Sequence, residues 1–456
     1  MKHLIKTHLL SGTWVNRIVA AVLLLFGLVG LIRIYANGAA ALETVTGKEL
    51  LNLSRSYDLD ALEAGVRDNN QVRSNYSLLN NVQLLDRDGT AIPDDAAFHN
   101  LVGVRTLNHN TRYLSDRLVA DPERAEQYSV LTGTRRSDDP LVTAATTLNS
   151  AMQESLYAYL TEHGLDASLL VMQADTGDVL AAVSAGEADS ELNRNFYKLS
   201  PGSTQKLASL LVLAAAGADL DTPFECTGEF VTADGEVVHD SGVHGVVDAA
   251  GAVANSCNCW FADRFSKLDN KTVIELFRSL GYLVNEEAAL VSIDGVPRSK
   301  SSMALNTMQW NYSSVWNVIG EAEVQVSPFD LCAIASAVWS SDTQQAHLLA
   351  GETTPAIIDG WPEELKAALP TVREIMQTAY QVSYLARSFP ETLAFGKTGT
   401  TEYDSSGLNT GRRFIGVSQS GKVFYLAVEH YKVDGVDTTD LSLEQMVSDL
   451  TALLDA

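Results

Sequence analysis

The chain has 456 residues, enough for two or three domains around a large core, and 57 Asp+Glu against 32 Lys+Arg leave a formal net charge of -25. A hydrophobic share of 46% with 20% charged residues is an ordinary globular balance and excludes an acidic disordered chain as the whole protein. The sign of the charge argues against nucleic acid as a partner and against non-specific docking on anionic lipid, since both need a basic face.

The charge is unevenly spread. Residues 1–36 hold Lys2, Lys6, Arg17 and Arg33 and no acid, so this head is +4 and the remainder is -29. Between Arg17 and Arg33 lie 15 uninterrupted apolar or Gly residues, Ile18 to Ile32. A helix of that length rises about 22 Å, short of a ~30 Å hydrocarbon core, but snorkelling by Arg33 and the apolar Ile34 and Tyr35 extend it. A transmembrane signal-anchor over residues 14–36 is therefore expected, with a cytoplasmic tail at 1–13. Basic residues precede the run, which predicts a cytoplasmic N-terminus and an extracytoplasmic body. The rival is a cleaved signal peptide ending near Ala39-Ala40-Ala41; Arg33 and Tyr35 favour the anchor, because they make an interfacial border. A buried core helix would not explain the basic-in, acidic-out split.

From residue 37 to 139 the chain is polar and mixed. It reads as a small non-catalytic α+β module, with two short strands expected around Asp-Gly in 84–92. At Pro140 the texture changes and a second domain, 140–456, begins. Leu141 to Leu160 predicts a short strand and an amphipathic helix. Residues 168–184 place two β-type runs around Asp-Thr-Gly, a strong hairpin signal. Residues 200–218 put Pro-Gly-Ser before a long Ala/Leu run, which predicts a helix with Ser203 in its first turn. Near the C-terminus 391–400, 412–418 and 422–431 predict three strands, the last two closed by Gln419-Ser420-Gly421, and a final helix is expected over about 442–454. Strands at both ends of the domain and helices between them suggest one antiparallel sheet covered by helices.

There are four cysteines, Cys226, Cys257, Cys259 and Cys332. An exported body permits disulfides, and Cys226 pairing with Cys257 or Cys259 is one reading; free buried thiols are the other. No C-x-x-C pair exists, which argues against a zinc or thioredoxin-like site. Cys332 lies in an apolar stretch and reads as core.

Ser203-Thr204-Gln205-Lys206 is a Ser-x-x-Lys element. On a helix, i and i+3 share a face, so the Lys206 amine reaches the Ser203 hydroxyl. Serine is a weak nucleophile until a base takes its proton, and lysine is a base only where burial or a neighbouring cation makes it neutral. A helix start adds partial positive charge and N–H groups for an oxyanion. Alone the element is weak, since a capping Ser with a solvated Lys looks the same. Ser256-Cys257-Asn258 follows 53 residues after Ser203, and Lys397-Thr398-Gly399 another 141 residues on, at an expected strand end. Together, in this order and in these contexts, the three elements are specific.

On these motifs the sequence resembles the penicillin-binding protein transpeptidase family, with Cys257 where the common second motif has Asp. The likeness extends to the hairpin at 168–184, the LSPGSTQK run, the stretch from Cys226 through His244-Gly245 to Ser256, and IGEAEVQVSPFDLCAIASAV at 319–338. It covers roughly residues 140–456. The preceding module looks like the short pedestal of monofunctional class B members, with too little chain for a glycosyltransferase domain. The resemblance implies a β-lactamase/transpeptidase-like α+β fold: an antiparallel five-stranded sheet with helices on both faces. It implies that Ser203 attacks a D-Ala–D-Ala stem peptide, with Lys206 as general base, Ser256 as proton relay and Asn258 orienting Lys206 and the substrate amide. Lys397, Thr398, Gly399 and Thr400 would hold the substrate, Lys397 and the two threonines at its carboxylate, and the N–H groups of Ser203 and Thr400 would form the oxyanion hole. An acceptor amine resolves the acyl-enzyme. The reaction calls for no metal or organic cofactor. Implied partners are peptidoglycan stem peptides, β-lactams, the membrane and a glycosyltransferase of the cell-wall machinery.

Gln205, in place of an apolar or aromatic residue, and Arg413-Phe414, in place of an aromatic pair, depart from the family and bear on substrate detail. His244 reads as structural, since Ser-Lys chemistry needs no imidazole. Glu286 and Glu287 lie near where a class A β-lactamase keeps its deacylating carboxylate, but Val291 stands where such an enzyme has Asn. The alternatives to a transpeptidase are a D,D-carboxypeptidase, a β-lactamase and a non-catalytic β-lactam sensor or scaffold.

Overall fold

The computed structural model describes residues 82–93, 95–102, 142–186, 193–294, 296–340, 343–351, 354–384, 393–404 and 406–455. The expected anchor at 14–36 and most of the module at 37–139 lie outside them. Among the described residues no helix is long and apolar enough to cross a membrane.

Leu84–Val102 and Ala144–Ala456 form one compact unit. Within Leu84–Val102, the Asp-Gly turn forms as expected, with the Asp86 carboxylate accepting from the Asp88 and Thr90 amides at 3.0 and 2.8 Å. The strand expected after it is reduced to one bridge, Leu85 with Ala91. Helix α1 (Ala96–Val102) then buries Phe98 and Leu101. Its Asn100 donates to the Ser184 carbonyl at 3.0 Å, and Gln153 donates to the Ala97 carbonyl at 2.6 Å. These bonds tie a segment read from sequence as part of the preceding module into the later domain.

Helix α2 (Ser150–Glu162), N-capped by the Asn149 side chain, leads into the hairpin β1 (Ala167–Gln173) and β2 (Val179–Ala185). Both strands are almost wholly buried, as strands covered on both faces must be. A 3-10 turn at Gly202–Gln205 precedes helix α3 (Lys206–Ala215). Ser203 therefore sits just before the α-helix, not in its first turn as the Ala/Leu run suggested. Four short strands follow, β3 (Phe224–Cys226), β4 (Glu229–Val231), β5 (Val237–His239) and β6 (Gly245–Val247). They pair as two ribbons, β3 with β6 and β4 with β5. Helices α4 (Ala249–Ala254), α5 (Asn258–Ser266), α6 (Asn270–Ser279), α7 (Tyr312–Ile319), α8 (Pro328–Trp339) and α9 (Glu363–Val382) make the helix-rich middle. Pro328 opens α8 at its first position, where a missing N–H costs nothing. Strands β7 (Leu393–Glu402), β8 (Thr410–Ser418) and β9 (Lys422–Val433) and helix α10 (Leu443–Leu454) end the chain.

The main sheet is antiparallel, in the order β7-β8-β9-β1-β2, with the two-residue strand Val436–Asp437 added to β9. N-terminal and C-terminal strands thus meet, β9 against β1, with Tyr425 opposite Leu170. Helices α1 and α10 pack with α2, and α3 and α9 pack with α8. β7 is the edge strand, so the Lys397–Thr400 segment has one open side.

Candidate active site

The nucleophile turn lies against the edge strand with almost no gap. Gly202 has φ +52°, and a Cβ there would meet the Thr400 carbonyl oxygen at 2.3 Å. A Cβ at Gly399 would meet the Pro201 carbonyl oxygen at 2.7 Å. Glycine at both places lets backbone touch backbone, which brings Ser203 beside Lys397–Thr400.

Ser203 and Lys206 are three apart across the 3-10 turn, where such side chains eclipse. The Lys206 Nζ lies 3.0 Å from the Ser203 Oγ. It also donates to the Asn258 Oδ1 at 2.6 Å, the Ser256 carbonyl at 2.8 Å and the Ser256 Oγ at 3.1 Å. Ser256 holds the left-handed φ of +57° in the tight link between α4 and α5. Its amide bonds back to the Val253 carbonyl at 3.1 Å, and the Cys257 amide to that of Ala252 at 2.8 Å, which terminates α4. Asn258, the first residue of α5, donates its Nδ2 to the His239 carbonyl at 3.0 Å, fixing which amide atom faces Lys206.

Lys397 closes the site from β7. Its Nζ donates to the Ser256 Oγ at 3.1 Å and to the Thr398 carbonyl at 2.9 Å. Lys206 and Lys397 are 1% and 3% exposed, so their ammonium forms lose water. Burial lowers the Lys206 amine to about 8, against an opposing pull from Asp240 and Cys257. Burial, then the charge of Lys206, hold Lys397 well below the lysine range. Burial thus moves Lys206 toward the neutral form that a base requires.

A cleft of about 640 Å³ opens over Ser203, Ser256 and Asn258, with Thr398, Gly399 and Thr400 on one wall. The motif residues read from sequence thus converge on one place. The Thr400 Oγ1 accepts from the Arg412 Nη1 on the next strand. The cleft is also lined by residues that sequence reading missed: Tyr312 and Trp316 from α7, Glu321 just past it, and Glu402 at the end of β7. Burial and the charge of Glu402 push the Glu321 carboxyl up to about 7. Nothing in the local sequence marked Glu321, which lies in the 319–338 stretch read for its helix.

The departures from the family pattern point away from the cleft. The Gln205 Oε1 accepts from the Tyr282 hydroxyl at 2.8 Å inside the core. Arg413 is 1% exposed; its guanidinium donates to the Ser200 carbonyl at 3.0 Å and pairs with Glu429 at 2.9 Å. It buttresses the nucleophile turn from below. Glu286 pairs with Arg278 at the surface, and neither Glu286 nor Glu287 lines the cleft. All four cysteines are free thiols.

A serine beside a lysine of lowered basicity, a second serine bridging to another lysine, and an edge strand along the cleft define a serine acyl-transfer enzyme of the penicillin-recognising class. The family model described as the penicillin binding protein transpeptidase domain matches residues 167–448, and the chain belongs to this family. No curated protein matches the sequence. Among solved structures, the D,D-transpeptidase domain of a peptidoglycan glycosyltransferase from Eggerthella lenta is similar at 17% identity and TM-score 0.60, covering 82% of this chain and 98% of that one. Penicillin-binding protein A from M. tuberculosis, as its penicillin G acyl-enzyme, is similar at 15% identity and TM-score 0.61, covering 82% and 98%. Pseudomonas aeruginosa PBP2 in complex with WCK 5153 gives 17% identity and TM-score 0.60, covering 82% and 95%.

Proposed function

We propose that this protein is a peptidoglycan D,D-transpeptidase. The observation that carries the reading is the single amine, Lys206 Nζ, held by the Ser256 and Asn258 oxygens 3.0 Å from the Ser203 Oγ. Neutral Lys206 takes the Ser203 proton as the Oγ–carbon bond to the penultimate D-Ala carbonyl forms. The N–H groups of Ser203 and Thr400 receive the oxyanion, a contribution of about 3–4 kcal/mol per donor in this kind of site. As the intermediate collapses, the peptide C–N bond breaks, and the proton passes from Lys206 through the Ser256 hydroxyl to the departing D-Ala amine. Asn258 orients Lys206 and the substrate amide. Lys397, Thr398 and Thr400 hold the terminal carboxylate, with Arg412 steering the Thr400 hydroxyl. An acceptor amine then attacks the acyl carbon, its proton passing by way of Lys206 to the Ser203 Oγ as the ester C–O bond breaks, which forms the cross-link and restores the serine.

β-lactams carry an acyl group and a carboxylate in similar relation, so they acylate the same serine. The penicillin G acyl-enzyme of the M. tuberculosis relative supports this step. In our reading the body is extracytoplasmic, tethered by residues 14–36, and works beside a glycosyltransferase that supplies the glycan strands; the +4 head and -29 remainder support that topology.

Donor and acceptor stem peptides supplied together test the reading. Purified protein is expected to yield free D-Ala and a cross-linked dimer, both absent in Ser203→Ala. Free D-Ala with only trimmed monomer would sink transpeptidation in favour of carboxypeptidase activity.

A further inference from the structure

Beside the second motif lies a cluster to which acyl transfer assigns no step, although its Asp240 also lines the cleft. Cys226 ends β3, Asp240 follows β5, His244 precedes β6, and Cys257 caps α5. One donor atom from each lies within 4.8 Å of all the others. The Asp240 Oδ2 is 3.4 Å from the Cys226 Sγ and 3.3 Å from the His244 Nδ1, and that sulfur is 3.6 Å from the same nitrogen. Four ligands placed tetrahedrally at zinc bond lengths are about 3.2–3.8 Å apart. These three separations fall in that range without any rearrangement.

The surroundings suit a cation. Both thiols are fully buried, and the side chains of His244 and Asp240 are 14% and 1% exposed. Among the described residues, the one ion-pair partner of Asp240 is His244, so a buried carboxylate faces two thiols and an imidazole. Nor is Asp240 loose: the Cys259 amide donates to its Oδ2 at 3.3 Å, the kind of outer hydrogen bond that orients a metal-bound carboxylate. Two cysteines, a histidine and an aspartate, all buried or nearly so and within 4.8 Å of one another, are donors that zinc accepts.

We propose that Cys226, Asp240, His244 and Cys257 bind one zinc ion that positions the second catalytic motif. Binding deprotonates both thiols and releases two protons. The ion joins both ends of the 226–244 excursion to the residue between Ser256 and Asn258. It thereby holds Ser256 in its left-handed backbone and the His239 carbonyl against Asn258. The sequence reading gave no metal because the chain holds no C-x-x-C, and took His244 as structural because Ser-Lys chemistry needs no imidazole; the ligand spacings are 14, 4 and 13 residues.

The metal measurement is independent of the proposed activity, whereas the labelling measurement rests on it. Elemental analysis of the full chain, purified without chelator, is expected to give one zinc per protein in wild type, in Ser203→Ala and in the control Cys332→Ala. Cys226→Ser and His244→Ala lose it. Because these variants also risk misfolding, wild type stripped by chelator is titrated with cobalt(II). One equivalent is expected to produce thiolate-to-cobalt charge transfer and tetrahedral d–d bands. Fluorescent penicillin labelling is expected to slow at least tenfold on stripping and to recover with zinc. A chain with no stoichiometric zinc and no thiolate–cobalt bands, or a Cys226–Cys257 disulfide in the isolated protein, overturns the site. Zinc present with labelling unchanged on its removal overturns the positioning role alone.

Discussion

Lys206 and Lys397 both donate to the Ser256 hydroxyl, at 3.1 Å each. Two buried ammonium groups sharing one hydroxyl repel, and the low dielectric makes that repulsion costly. Lys206, at about 8, is then a competent base just above neutrality. Acylation of Ser203 by a penicillin is expected to rise with pH as Lys206 loses its proton, with a midpoint near 8 and a plateau above it. Lys206→Ala is expected to slow acylation by about 10²–10⁴-fold, the usual worth of a placed general base. Stopped-flow acylation rates against pH check both; a flat profile in wild type contradicts the assignment. The Ser203–Lys206 pair was legible because a spacing of three puts two side chains together in any helix. The partnership of Asp240 and His244 with the cysteines was not, since it depends on how two short ribbons fold back on α5.

At the scale of elements, the site is a junction between a turn and an edge strand, and buried charge holds the junction. Arg413 on β8 reaches under the turn to Ser200 and pairs with Glu429 on β9. Replacing it with Met leaves the part-buried Glu429 without its cation, with only the Tyr403 hydroxyl still donating to it among the described contacts. A loss of about 3–5 kcal/mol is the usual result of breaking such a pair. Glu429 keeps 19% of its side-chain exposure, which moves the expected loss toward the lower end. Urea unfolding reads it, and an unchanged midpoint would show that Arg413 holds nothing. A second pair links the β1–β2 turn to the 343–351 segment: the His347 Nε2 lies 2.9 Å from an Asp178 oxygen. Their hydrogen bond raises the imidazole above its ordinary 6.5 and lowers the carboxyl below its ordinary 3.8. Stability from His347 is full below 6.5 and fades as pH passes its raised value; stability from Asp178 is full above 3.8 and fades as pH falls past its lowered value. Wild type should therefore exceed Asp178→Asn in Tm most between these two values, and the gap should close at alkaline pH. A gap independent of pH would mean that the pair is not ionic. The hairpins and the Pro328 helix start were readable from local signals, whereas the 3-10 turn at Ser203 was not, because tertiary contact with β7 dictates it.

For the molecule as a whole, strands at both ends of the second domain with helices between them made one antiparallel sheet legible, and β9 pairs with β1 accordingly. The cut between module and catalytic domain was less legible. Leu84–Val102 looks polar and local in sequence, yet it docks through Asn100 and the Ala97 carbonyl onto residues far along the chain. Within this acidic chain Lys206, Lys397 and Arg412 gather at the catalytic centre, with Glu321 and Glu402 elsewhere on the cleft lining. All of this turns on Ser203 being the acylated atom's owner. Intact mass followed by peptide mapping, after incubation with benzylpenicillin, tests that most directly. The account predicts one penicilloyl adduct per chain, carried by the peptide containing Ser203 and absent from Ser203→Ala. An adduct on another residue, or one that persists in Ser203→Ala, would contradict it.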